Sequence, residues 1–169
     1  DISYVPIGVG GGGAMSGVAI SPFAPLWFVG TDMGTLFRST DYGKSWRAVH
    51  HVQTVFGSDL SLAVSPGFSS DGKTVYHAVH GERPQRSLDA GITFSSLNVP
   101  LLKDEIIKYW YADSKIPGKV FCSTNKGLLK SDDKGNTWSR SKNIIYEGKG
   151  TFIDQGDPKR TIYHATKYR

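Results

Sequence analysis

Short apolar runs, each ended by Gly, Ser, Asp or Pro, recur along the chain. Gly17–Pro22 (G-V-A-I-S-P), Leu62–Pro66 (L-A-V-S-P), Tyr109–Ser114 (Y-W-Y-A-D-S) and Thr151–Pro158 (T-F-I-D-Q-G-D-P) each read as a strand closed by turn chemistry. A second run follows each of them: Leu26–Gly30, Thr74–Val79, Lys119–Thr124 and Thr161–Thr166. Third strands are predicted at Thr35–Arg38, Arg83–Arg86 and Leu128–Lys130, and fourth strands open at Trp46, Phe94 and Trp138. Pro84 removes a ladder donor, so the third strand beginning at Arg83 is expected to be irregular. Asp1–Val9 alternates apolar and polar residues and predicts one further strand. No segment has a convincing helical period. Leu101–Ile107 comes nearest and is too short. The pattern is that of an all-β chain.

Between each third and fourth strand the same turn returns. Ser39–Trp46 reads S-T-D-Y-G-K-S-W, Ser87–Phe94 reads S-L-D-A-G-I-T-F, and Ser131–Trp138 reads S-D-D-K-G-N-T-W. Asp41, Asp89 and Asp133 are separated by 48 and 44 residues. A period in this range marks repeated supersecondary units that share a core. The aspartate can accept hydrogen bonds from N–H groups a few residues on, the glycine supplies positive φ, and the aromatic opens the returning strand.

The turn Ser-x-Asp-x-Gly-x-Ser/Thr-aromatic resembles the Asp-box, or bacterial neuraminidase repeat. That resemblance implies a β-propeller with the box between the third and fourth strands of each blade, and a structural rather than catalytic aspartate. Blades are expected at about residues 14–50, 59–98 and 105–142, with an incomplete fourth at about 150–169, all within one domain over 1–169. The fourth unit ends before any fourth box, which gives about three and a half blades, whereas propellers close with four to eight. The expectation is a ring completed by the rest of a longer chain or by further copies. The start at Asp1, without Met or a signal peptide, reads as a mature form, a fragment, or part of something longer.

Composition sharpens this only slightly. Twenty glycines, eight prolines and 12% aromatics suit a turn-rich β protein. The net charge of +5 comes from scattered basic residues without a long run, so nucleic acid is not an expected partner, and no stretch is long and apolar enough to span a membrane, so no membrane is expected either. Cys122 is the only cysteine, which excludes an intrachain disulfide, and its apolar strand predicts a buried, inert thiol. The five histidines show no metal-ligand spacing with Cys or carboxylate, so no metal and no cofactor are expected.

Alternation of turns in an antiparallel blade puts all three repeated turns on one face. Function is then sought on the opposite face, among the second-to-third turns and the blade-to-blade loops. Four residues beyond the aromatic of each second strand come Asp32, His80, Asn125 and Lys167. Gly10–Gly13 is a glycine run with no Lys-Ser/Thr and no helix after it, so it reads as a loop rather than a phosphate cradle. The order Gly10–Gly13, Gly17–Pro22, then Thr31-Asp32-x-Gly34 resembles the start of xyloglucan-cleaving, Asp-box propeller glycoside hydrolases.

That resemblance implies a secreted enzyme acting on a polysaccharide or oligosaccharide, with Asp32 as catalytic general base. It also implies a second carboxylate supplied from elsewhere, so this chain is not expected to be active alone. Asp59, Asp104 and Glu105 lie in blade-to-blade loops, but nothing marks one of them as the acid. Thr-Asp-x-Gly is also a good tight turn, with the carboxylate bonding its own backbone. Tyr109, Trp110 and Tyr111 on a first strand, together with His80 and Asn125, are the ligand-binding candidates, with core packing the competing use of the aromatics. His50–Asp59 and Ser139–Gly150, which include His51, Phe56, Tyr146 and Glu147, are long enough to form a binding rim. The alternative is a non-catalytic binding or assembly module whose half-ring pairs with another chain. Sialidase-type propellers need an arginine cluster and an Arg-Ile-Pro start that this sequence lacks.

Overall fold

The computed structural model describes residues 14–32, 35–50, 64–79 and 82–166. The described residues form strands and turns and no helix. The first sheet joins β1 (Met15–Ile20), β2 (Trp27–Thr31), β3 (Leu36–Ser39) and β4 (Arg47–Ala48) in sequence order. The second joins β5 (Gly67–Phe68), β6 (Val75–His77), β7 (Gln85–Ser87) and β8 (Ser95–Ser96) in the same order. The third joins β9 (Ile107–Ala112), β10 (Val120–Thr124), β11 (Gly127–Ser131) and β12 (Ser139–Arg140). A two-stranded sheet of β13 (Gly148–Ile153) and β14 (Ile162–Thr166) follows. All pairs are antiparallel. The first strands are the neighbours between sheets, with β9 touching both β5 and β13. Three meandering blades and two strands of a fourth make a partial β-propeller.

Strand boundaries depart from the sequence reading where a donor is missing. The first strand expected at Leu62–Pro66 is instead Gly67–Phe68 within the described residues, because Pro66 has no N–H to start the ladder and Val64 is already buried in the core. Pro84 acts in the same way: β7 begins at Gln85, and the Pro84 carbonyl accepts the Leu97 amide at 2.7 Å. The fourth strands begin one residue after Trp46, Phe94 and Trp138, whose rings remain part of the turns.

The core lies between the blades. Alternate residues of each strand serve opposite faces, so every full blade packs in both directions. Leu26, Phe28 and Leu36 of the first blade meet Val75 and Phe94 of the second. Tyr76, Ala78 and Leu97 of the second meet Trp110, Cys122 and Leu129 of the third. Phe121 and Leu128 of the third meet Ile153 of β13. Phe28, Tyr76 and Phe121 hold the same register in successive second strands, and each is almost fully buried. Burying one such ring contributes about 1.5–3 kcal/mol.

The repeated glycine permits this approach. Gly91 has φ of 79°, and a Cβ there would stand 2.3 Å from Cζ of Phe28 in the preceding blade. Gly150 in β13 has nothing within 4 Å of its would-be Cβ. Gly91→Ala is therefore expected to destabilise the fold by about 2–4 kcal/mol through strain and overpacking. Gly150→Ala should stay within about 0.5 kcal/mol of the parent. Denaturant unfolding of the two variants side by side checks both.

Candidate functional site

The three repeated turns are built identically. Asp41 accepts the Ser39 hydroxyl at 2.7 Å, the Ser45 amide at 2.9 Å and the Ser45 hydroxyl at 2.6 Å, while the Gly43 amide donates to Ser39 Oγ at 2.9 Å. Asp89 does the same with Ser87 and Thr93, and Asp133 with Ser131 and Thr137. These bonds occupy both carboxylate oxygens. The Ser45 hydroxyl and amide and the Ser39 hydroxyl pull Asp41 from 3.8 to about 2, and the Thr137 hydroxyl and amide do the same for Asp133. Such carboxylates hold turns and cannot exchange protons near neutral pH.

The same face carries contacts that the sequence reading missed. Tyr42, Ala90 and Lys134, each just after the turn aspartate, have left-handed φ of 59°, 58° and 62°. Arg38 of the first blade donates through Nε to the Ala90 carbonyl of the second. Arg86 of the second blade donates to the Lys134 carbonyl of the third at 2.6 Å and to Asn136 Oδ1 at 2.9 Å. Each arginine immediately precedes the first serine of its own turn, a signal visible as Arg-Ser at positions 38–39 and 86–87. A second set of aspartates closes the first-to-second turns. Asp71 accepts the Lys73 and Thr74 amides and the Thr74 hydroxyl, and pairs with Lys134 of the next blade at 2.9 Å. Burial pulls the Asp71 carboxyl upward, but these bonds outweigh it and hold it far below the usual range. Asp113 pairs likewise with Arg160, and its carboxyl is lowered despite burial by the Lys115 amide and the Arg160 guanidinium.

The opposite face holds Asp32 and Asn125. Asp32 sits in the β2–β3 turn, where its amide donates to the Ala14 carbonyl at 3.0 Å. The neighbouring Thr31 hydroxyl closes this turn by accepting the Thr35 amide at 3.1 Å. The Asp32 side chain is exposed and its carboxylate makes no hydrogen bond or ion pair with a described residue. Asn125, at the β10–β11 turn, is committed to the loop from the previous blade. Its Oδ1 accepts the Ile106 amide at 2.8 Å, its Nδ2 donates to the Asp104 carbonyl at 3.1 Å, and its own amide donates to the Ile106 carbonyl. His80, Lys167, Asp59, His51, Phe56 and the run Gly10–Gly13 lie outside the described residues.

Beside Asn125, Glu105 is buried and held at both oxygens by Arg140, at 2.8 and 2.7 Å, with further bonds from Thr124 and the Leu102 amide. Burial raises the Glu105 carboxyl, but Arg140 and these donors outweigh it and keep it below the ordinary range, which suits a clasp and not an acid catalyst. A cavity of about 560 Å³ opens on this face between the second and third blades, lined by Val79, Arg83, Leu97, Asp104 and Ile107 among others.

The Tyr109–Tyr111 trio divides as alternation requires. Trp110 is buried, stacked on Tyr76 with ring centroids 5.6 Å apart and tilted against Trp138. Tyr111 packs near Phe121, and its hydroxyl accepts the Ile153 amide at 3.3 Å. Tyr109 is 41% exposed. Of the rim residues, Tyr146 is exposed and Glu147 pairs with Lys149 at 3.0 Å. Cys122 is fully buried, and burial pushes its thiol well above the ordinary range. Among the described residues no His, Cys, Asp and Glu group could hold a metal ion, and no helix is long and apolar enough to cross a membrane.

No family model matches the sequence, and no curated protein matches it. Solved structures do match. A GH74 enzyme from Niastella koreensis superposes with a TM-score of 0.66 at 22% identity, over 90% of this chain and 21% of that one. An ancestral GH74 enzyme gives 0.68 at 13%, over 94% and 22%. YCF48 bound to a D1 peptide gives 0.61 at 13%, over 85% and 44%. The chain therefore spans about a fifth of the length of those GH74 enzymes and less than half of that YCF48 chain. At these identities the likeness is one of fold: the chain is built as part of a propeller resembling those of xyloglucanase-type enzymes.

Asp41 and Asp133 titrate lower in the folded chain than their ordinary 3.8, so the stability they contribute is fully present above about pH 4 and is lost as pH falls through about 2. Carboxyl NMR titration should show both midpoints near 2, and stability should fall across that window. Arg140→Met leaves the Glu105 carboxylate buried without its counter-charge and should cost about 3–5 kcal/mol in denaturant unfolding.

Proposed function

We propose that this chain is a segment of a secreted, carbohydrate-active propeller that hydrolyses a plant-type polysaccharide of the xyloglucan kind, with Asp32 as general base. The observation that carries the reading is the state of Asp32. Among the described residues the turn aspartates Asp41, Asp71, Asp89, Asp113 and Asp133 are each held by several N–H, O–H or cationic donors. Asp32 stands exposed on the opposite face, in a turn across which the Thr35 amide donates to the Thr31 hydroxyl. A structural neighbour, the GH74 xyloglucanase from Xanthomonas campestris, matching at 18% identity over 79% of this chain, supports the substrate class. The exposed Tyr109 on an inner strand supplies a ring face on which a sugar can stack.

Glycoside hydrolysis needs two carboxyl groups flanking the scissile bond. One protonates the leaving oxygen and the other activates water or attacks the sugar. Asp32 would take the second role, drawing the proton from water as the glycosidic bond breaks. Glu105 is held too firmly for the first, and nothing marks another carboxylate of this chain as the acid, so the reading takes the acid from elsewhere in the longer protein. Asp32→Asn, in the protein that carries this sequence, is expected to lower kcat on xyloglucan by about 10²–10⁴-fold with polysaccharide binding preserved. Undiminished hydrolysis would sink the role. Residues 1–169 alone should release no reducing ends.

A further inference from the structure

We propose that the seam between β10 of the third blade and the β13–β14 pair carries an acid-sensitive latch at His164. With its imidazole neutral, a chain of hydroxyls closes the seam at the end nearer Asn125. Proton uptake opens that end, while an ion pair holds the other. This goes beyond the hydrolytic reading and does not rest on it. Thr151 faces His164 across the β13–β14 ladder, and His164 Nδ1 lies 2.9 Å from Thr151 Oγ1. Thr151 Oγ1 in turn lies 3.0 Å from Oγ of Ser123, a buried residue of β10. Gly148 makes room for both partners: a Cβ there would stand 2.8 Å from Cβ of Ser123 and 2.9 Å from Cε1 of His164. Two residues along β13 from Thr151, on the same face, Ile153 enters the apolar core with Phe121 and Leu128. One stretch of the seam is therefore apolar, and the next is a hydroxyl chain ending on a titratable ring.

The chain satisfies the ring at one nitrogen only. Nδ1 shares a hydrogen with Thr151, while Nε2 is buried with no hydrogen-bond partner among the described residues. A neutral imidazole tolerates this, because one of its nitrogens carries no hydrogen. An imidazolium does not. Both nitrogens then donate, and Nε2 would hold a charged N–H against Gly148 with no acceptor. No carboxylate compensates. The charged and titratable groups on the surrounding elements are Glu147 and Lys149 on β13, which pair at 3.0 Å, Lys108 and Tyr109 on β9, and Glu105, which Arg140 and Thr124 hold. Among the described residues none of these pairs with His164, and burial holds the imidazole below its ordinary 6.5.

The far end of the same seam is built differently. Arg160 donates to Asp113 of the third blade at 2.6 Å, and Lys115 Nζ donates to the Gln155 carbonyl at 2.7 Å. The Asp113 carboxyl is held below its ordinary 3.8, so this pair stays charged wherever His164 takes up its proton. A histidine lowered by folding binds fewer protons than it does in the unfolded chain. The stability it contributes is therefore full above pH 6.5 and drains as pH falls below that value. Mild acid acts on Ser123, Thr151 and His164 and leaves Arg160 on Asp113, so the seam opens from one end.

Amide hydrogen exchange on the 169-residue protein at about pH 7.5 and about pH 5, each corrected for the intrinsic rate, tests the latch. Protection at Thr151, His164 and Ala165 should fall about tenfold at the lower pH. The Asp154 amide, which donates to the Thr161 carbonyl at the far end, should keep its protection, as should the three full blades. His164→Asn leaves a polar partner for Thr151 and nothing to titrate, so its ratio between the two pH values should be flat whatever its overall stability. In the parent chain, NMR titration of the His164 ring should give a midpoint below 6.5, which needs no variant to fold. No pH step in the parent, the same step in His164→Asn, a loss that reaches Asp154 equally, or a midpoint at or above 6.5 would each overturn the proposal. A step centred on the first or second blade would overturn it too, assigning the acid response to His50 or His77. No arm reads hydrolysis, so failure here leaves the role of Asp32 to its own test.

Discussion

The junctions of the three full blades depend on one contact: the repeated turn of a blade lying on the blade before it. The contact has two requirements. A glycine must sit where any side chain would collide with the preceding core, and a left-handed residue must turn its carbonyl outward toward an arginine. The Ser-Asp network inside the turn fixes both: in the second blade the Ser87 hydroxyl and the Thr93 amide and hydroxyl donate to Asp89, and the Gly91 amide donates to the Ser87 hydroxyl. The hydrogen bonds are local, but their consequence is not. A turn that lost its shape would withdraw the acceptor from Arg38 or Arg86 and uncover Phe28 or Leu97 beneath it.

This arrangement divides the labour between the two ends of the blades. At one end nearly every carboxylate is engaged, by the turns themselves, by Lys134 on Asp71, and by Arg160 on Asp113. At the other end Glu105 and Asn125 tie the third blade to its entry loop, while Asp32 is left to solvent. A structural end and an open end follow from strand alternation alone. They are the physical basis for seeking chemistry at Asp32 rather than at the more conspicuous Asp41, Asp89 and Asp133.

Much of the fold was legible because its determinants are local and repeated. The turn motif, its spacing and the four apolar second strands gave the meander and the direction of each face. The division of Trp110 from Tyr109 and Tyr111 followed from the two-residue period. What was not legible depends on neighbours distant in sequence. Nothing beside Asn125 shows that its amide will be consumed by Asp104 and Ile106, and nothing beside Glu105 announces Arg140. The Arg-Ser pairs were visible, but their meaning required seeing Arg86 reach Lys134, 48 residues away. Pro66 and Pro84 moved strand starts by removing donors, an effect that apolar periodicity does not register. Asp32 itself was marked by its place four residues after the aromatic of β2, and the structure adds that the Thr35 amide donates to the Thr31 hydroxyl across its turn.

The central claim is that blades are coupled through the arginine-to-turn contacts rather than merely stacked. Hydrogen exchange on Arg86→Met, compared with the parent chain, tests it most directly. The account predicts faster exchange in the turn of the third blade, at Gly135, Thr137 and the Trp138 indole that donates to the Gly135 carbonyl, although the substitution is in the second blade. Loss of protection confined to β7 and its own turn, with the third blade unchanged, would contradict it.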